Sequence, residues 1–193
     1  MTTQHWVSIM PDGIVVDGNR LATENGGSAL LTEVYRARVN DYPKFFKMDI
    51  LSKLGFLASE LLLQAAGSRH DDSEDRAVIL FGRSGSLVCD RRYQETIERT
   101  DDFFPSPSLF VYTLPNIVTG EIAIRNRYYG ETAFYGLDHR DDDLMNQVIE
   151  ASFLDGTTQS VLCGWVDCES EDKFEARFAL MSGAERLMNM NNE

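Results

Sequence analysis

The chain has 193 residues, 43% of them hydrophobic and 25% charged, enough for one soluble domain with a substantial core. Its net charge of −13 and pI near 4.6 count against nucleic acid, whose phosphates demand a basic face, and against anionic membrane surfaces. No apolar run approaches the ~18–20 residues that a bilayer-spanning helix requires.

Three cysteines, Cys89, Cys163 and Cys168, form no Cys-x-x-Cys pair. The odd count implies a reducing compartment, so a cytoplasmic protein is expected. The opening MTTQHWVSIMPDG has neither a basic stretch nor a long apolar one, and no signal peptide is expected. No internal repeat or linker divides the chain, and a single domain over 1–193 is expected.

In chain order, Trp6 to Met10 and Gly13 to Val16 read as short strands split by Pro11-Asp12. Asp17 to Gly27 reads as loop, and Ser28 to Val39 as either a short helix or extended structure. Tyr42 to Ala66 is the clearest helix: Met48, Leu51, Leu54, Leu57, Leu61 and Leu62 share a face, and Asp49 falls in an early turn. Gly67 suits the left-handed position that ends a helix. Ser68 to Arg76 is a charged loop. Ala77 to Phe81, a continuous apolar run, fits a strand buried on both faces, and Gly82 to Ser86 a small-residue turn after it. Asp101-Asp102 closes the section that follows.

The most unusual stretch is Phe104 to Gly136, FPSPSLFVYTLPNIVTGEIAIRNRYYGETAFYG. Proline and serine punctuate its start. Leu114-Pro115-Asn116 opens a helix, carried by Ile117, Val118, Glu121, Ile122 and Ile124. Gly130 precedes a short strand, Thr132 to Tyr135. Leu144 to Leu154 is a further helix ended by Asp155-Gly156, with Asp141 to Asp143 placed where a helix N-terminus favours negative charge. Gln159 to Val166 and Lys173 to Met181 read as a pair of strands joined by an acidic turn, Asp167 to Asp172. Met188 to Glu193 is a polar tail.

Within that stretch, PSLFVYTLPNIVTGEIAIRNRYYGET resembles the segment of β-ketoacyl synthases, of the thiolase-like superfamily, that precedes their catalytic cysteine. The likeness covers roughly the last two thirds of the chain and the N-terminal half only of a complete synthase. It implies an α/β fold, one thiolase-like half, with a mixed five-stranded sheet flanked by helices. Trp6 to Met10 would open the sheet. Asp90 and Tyr93 match the Asp and aromatic residue that follow the small-residue loop.

The departures matter as much. In the family the nucleophilic cysteine sits at a helix N-terminus, where dipole and free N–H groups favour the thiolate. Taking Leu144 to Leu154 as that helix, Gly156 as its turn and a strand ending at Gly164 places the nucleophile near His139. Asp138-His139-Arg140 stands there, and no cysteine lies between Cys89 and Cys163. The histidines of a second half are also missing. The resemblance therefore implies no catalytic residue, but a non-catalytic ketosynthase-like subunit, similar to a chain-length factor in fatty-acid or polyketide-type assembly. Phe110, Tyr112 and Phe134 would shape an acyl channel. Expected partners are a second copy of the chain or an active ketosynthase, with acyl carrier protein a further one. No cofactor and no metal are expected.

Two alternatives stand beside this. One is a stand-alone acyl-binding or acyl-transfer enzyme using His139 with Asp138 as general base; the other is a homodimeric structural module. Gly82-Arg83-Ser84-Gly85-Ser86 is neither a nucleophile elbow nor a phosphate loop. Cys163, in mid-strand, reads as a buried inert thiol.

Overall fold

The computed structural model describes residues 5–68, 75–98 and 105–182. Most of the charged loop Ser68 to Arg76, the Asp101-Asp102 pair, Phe104 and the tail Met188 to Glu193 lie outside these residues. The expected hairpin opens the chain: β1 (Trp6–Met10) and β2 (Gly13–Val16), extended by β3 (Asn19–Arg20). The undecided segment is helix α1 (Gly27–Arg38), burying Leu30, Leu31, Val34 and Tyr35.

The single helix expected over Tyr42 to Ala66 is two elements. A 3₁₀ turn, Pro43–Lys47, comes first, and α2 runs Ile50–Ala65. The break has a local cause. Pro43 starts the tight turn, Met48 is extended, and the Asp49 carboxylate caps α2 by accepting from Ser52 N at 3.0 Å and Leu51 N at 3.2 Å. Gly67 ends it at φ 63°, with Ser68 N donating to Leu63 O at 3.0 Å.

Strand β4 (Ala77–Gly82) is buried along its whole length. Helix α3 (Leu87–Ile97) follows, carrying Asp90, Tyr93 and Ile97 in one element. The Pro-Ser punctuation forms a short helix, α4 (Pro107–Val111), capped by the Ser106 hydroxyl. Then come α5 (Ile117–Asn126), β5 (Thr132–Gly136), α6 (Asp142–Ser152), β6 (Ser160–Ser170) and β7 (Lys173–Ser182).

These strands form one sheet in the order β3-β2-β1-β7-β6-β4-β5, parallel at β6-β4-β5 and antiparallel elsewhere. Among the described residues it has seven strands, not five. The five-stranded mixed body β1-β7-β6-β4-β5 is there, and the hairpin strands β2 and β3 add to its β1 edge because Ile14 pairs with Ile9 and is buried with it. Helices flank both faces. The larger core, under α1, α2 and α5, gathers Val7, Ile9, Leu80, Leu162, Val166 and Phe178 from the sheet. Across it, Met145 and Ile149 of α6 pack on Ile79, Phe81, Val161 and Trp165. Fully burying each such side chain is worth about 1.5–3 kcal/mol, so both layers hold the sheet.

The acidic turn and the strand end expected at Gly164 are both displaced. β6 continues through Gly164 to Ser170, leaving only Glu171 and Asp172 between β6 and β7. Gly164 instead permits close approach in mid-strand: a Cβ there would stand 2.1 Å from Arg177 O. Asp167 belongs to the strand because its carboxylate finds amide donors across the sheet.

Candidate functional site at the carboxyl end of the sheet

In open α/β sheets ligands gather beyond the carboxyl ends of the parallel strands. Here that end collects the β4–α3 turn, the β5–α6 loop and the distal half of β6. Gly82 closes β4 where a Cβ would meet Val166 O at 2.2 Å, so only glycine lets the two backbones run so close. The turn that follows is held by Asp167. Its Oδ1 accepts from Arg83 N at 3.1 Å and from Ser84 N at 2.6 Å, and its Oδ2 from Ser84 Oγ at 3.3 Å. The Arg83 guanidinium ion-pairs with Glu169 and lies 3.9 Å from Asp167. Ser86 Oγ donates to Thr113 O at 2.6 Å, tying the turn to the segment after α4.

The β5–α6 loop is anchored by Leu137 N donating to Gly82 O at 3.0 Å. Asp138 and His139 then stand in solvent, their side chains 94% and 73% exposed, with His139 Nδ1 hydrogen-bonded to Asp138 Oδ1 at 3.0 Å. Arg140 Nε donates to Asp142 at 2.7 Å. Helix α6 starts two residues earlier than the apolar pattern predicts, because Asp141 caps it: its Oδ1 accepts from Leu144 N at 3.0 Å.

Two devices that could stabilise a developing oxyanion are therefore occupied. The paired amides of Arg83 and Ser84 point at a carboxylate, and the first turn of α6 carries its own. An oxyanion hole needs such donors free and aimed at the reacting atom. The thiols are no better placed for chemistry. Cys163 lies in mid-β6, where burial pushes its pKa to about 12. Cys168, in the same strand, is pushed to about 12 by burial and then by the charges of Asp49 and Asp167. Cys89 is in the first turn of α3, but burial and the nearby Asp49 and Asp90 carboxylates raise it to about 11, and its Sγ donates to Leu109 O at 3.3 Å.

The three aromatics expected to shape a channel fall in three settings. Phe134 lines a cavity of about 460 Å³ with Ser84, Ser86, Asp90, Pro115 and Asn116. Phe110 is 52% exposed and rests against Tyr93, ring centroids 5.6 Å apart. Tyr112 donates to Glu121 at 3.0 Å, and burial followed by the Glu121 carboxylate raises its hydroxyl well above the usual range. Asp167 and Trp165 are the site residues that sequence reasoning missed. A second cavity of about 390 Å³ lies between them, Met10, Phe174 and the His139 loop. Their signal was the parity of β6, which sends Trp165 and Asp167 to one face, had the strand been carried far enough.

No protein-family model matches the chain, and no curated protein does. Solved structures do. The ishigamide ketosynthase/chain length factor superposes with a TM-score of 0.68 at 17% identity, over 94% of this chain and 62% of that one. A ketosynthase, ApeO, in complex with its chain length factor, ApeC, from Xenorhabdus doucetiae gives 0.57 at 16%, over 95% of this chain and 80% of that one. AntDE:AntF, a type II polyketide synthase acyl-carrier protein in complex with its ketosynthase, gives 0.63 at 13%, over 96% and 65%. The chain thus spans about three fifths of the length of the first of these. No helix among the described residues is long and apolar enough to cross a membrane. At such identities the likeness is one of architecture, and the architecture is the thiolase-like fold of ketosynthases and chain length factors.

Proposed function

We propose that the chain is a non-catalytic ketosynthase-like subunit that completes a pair with an active ketosynthase, as a chain length factor does, in fatty-acid or polyketide-type acyl assembly. One observation carries this reading. Where the resemblance calls for a nucleophile, Asp138, His139 and Arg140 stand in solvent, while carboxylates already fill the neighbouring amide donors. The three thiols, each pushed to pKa values of about 11 or 12, supply no substitute.

The pairing surface is the β5 edge. Among the described residues strand β5 bonds only to β4, and Thr132, Tyr135 and Gly136 are exposed. An uncovered edge of this kind is a template for another strand. Phe110, Tyr112 and Phe134 would shape an acyl channel, and Phe134 lines a cavity. An acyl carrier protein would be the further partner, by analogy with the AntDE:AntF complex.

The test is co-expression with the cysteine-bearing ketosynthase of the same host, followed by size-exclusion chromatography with light scattering at micromolar concentration. A one-to-one complex is expected, and Tyr135→Lys is expected to dissociate it while leaving the monomer folded. Separate elution of the two proteins overturns the reading, and a self-pair that ignores the synthase replaces it with the homodimeric module. Acyl-CoA turnover by the chain alone, abolished in His139→Ala, would replace it with the acyl-transfer enzyme.

A further inference from the structure

One face of the sheet is only partly covered. Register puts Trp165, Arg177, Ser8, Val15 and Arg20 on the same face, as one rung across β6, β7, β1, β2 and β3, with Trp6 and Ala179 together in the next rung. Helix α6 packs on this face over Ile79, Phe81, Val161 and Trp165, at the β4–β6 end. The described residues leave the β7-β1-β2 end open. Trp6 is 41% exposed, the side chains of Arg177 and Arg20 are 52% and 62% exposed, and Ser8, Val15 and Ala179 are half-buried. The face is therefore a ridge beside a trough. Three strands about 4.8 Å apart make the trough about 14 Å wide, room for a helix about 10–12 Å across.

Ridge and trough also differ in charge. From Asp141 to Leu154 the ridge has carboxylates and no Lys or Arg. Its outer side, opposite the buried Met145 and Ile149, carries Asp143, Gln147 and Glu150, and Leu154 is 72% exposed just past its end. The trough holds Arg20 and Arg177. Their ion pairs, to Asp12 at 3.8 Å and Glu175 at 3.5 Å, are long and open to solvent, so they hold these cations weakly. We propose that two copies of the chain join through this face as a two-fold dimer. The α6 of each copy lies on Ser8, Val15 and Ala179 of the other, with Asp143 and Glu150 beside Arg20 and Arg177. A second copy is the fitting occupant because one rotation about an axis along the strands fills both troughs at once, with both helices in one layer between the sheets. The trough lies at the far end of the sheet from β5. This pairing therefore leaves the β5 edge open and does not depend on a ketosynthase.

Sedimentation velocity of the full chain tests this in about 0.15 M salt, where repulsion between two negative chains is screened beyond about 8 Å. So small an interface should give a reversible dimer with a dissociation constant on the order of 10 μM. Val15→Lys puts a charge into the trough and Glu150→Lys reverses one on the ridge. Each should weaken the dimer about tenfold or more, whereas Tyr135→Lys, at the β5 edge, should leave it unchanged. Glu150 is exposed, so that variant stands in should Val15→Lys fail to fold. The three native thiols are buried. Copies bearing Gln147→Cys, mixed with copies bearing Ser8→Cys, should therefore join through a short bismaleimide. A chain that stays monomeric at about 100 μM overturns the proposal. So does a dimer that Tyr135→Lys dissolves and Glu150→Lys does not, or the absence of a cross-link between the two cysteine variants.

Discussion

At the scale of single residues, Asp167 does the work that a glance at the sequence assigns to a turn. Its carboxylate takes two main-chain amides of the β4–α3 turn. Asp167→Ala leaves both donors unmet in a part-buried place and should cost about 1–3 kcal/mol of stability in urea unfolding, with Asp167→Asn losing less because one acceptor oxygen remains. The thiols give a second expectation. With Cys89 raised to about 11 and Cys163 and Cys168 to about 12, all three are protonated at pH 8. A disulfide reagent should therefore titrate them slowly in the native chain and at once in denaturant. Asp49 gives a third. Burial raises its carboxyl above 3.8, outweighing its hydrogen bonds to Ser52 and Leu51 and the charge of Lys53. The folded state then holds that proton more tightly than the unfolded one, so stability falls as pH rises from 3.8 through the raised value. Asp49→Asn, itself a good cap, should raise the melting temperature at pH 7, the gain vanishing as pH falls towards 3.8. Sequence showed Asp49 in an early helical turn and Cys163 buried. It did not show Asp167, since an acidic run between two apolar strands reads as a turn until its partners across the sheet are known.

Elements were legible where a local pattern dictates them. β4 is apolar without a break and buried without a break, and Gly67 marks the end of α2. What the pattern could not supply was competition. Helical periodicity runs on across Met48, yet Asp49 captures the amides of Leu51 and Ser52 and starts a new helix. α4 was unreadable because its apolar run, LFV, is too short to show a period. Packing between α2 and α5 offers a further test. A Cβ on Gly55 would stand 2.3 Å from Val118 Cγ2. Helix propensity favours Ala over Gly by about 1 kcal/mol, but overpacking against a stiff β-branched side chain costs about 1–3 kcal/mol. Gly55→Ala should therefore destabilise, and Val118→Ala should restore part of the loss in a double-mutant cycle followed by thermal unfolding.

For the whole molecule, the charge of −13 becomes a rule about company. Two copies repel, so any self-association should strengthen as salt rises, whereas capture by a partner with a basic face should weaken. Sedimentation at low and high ionic strength separates the two. The order of the strands has another consequence. β1 lies beside β7, with Val7 opposite Phe178, so nearly all of the described chain must be synthesised before that seam can close. Pairings so distant along the polypeptide are slow to form. During translation the first hairpin must wait with one side unsatisfied, and the sheet joins across its middle only once β7 has left the ribosome.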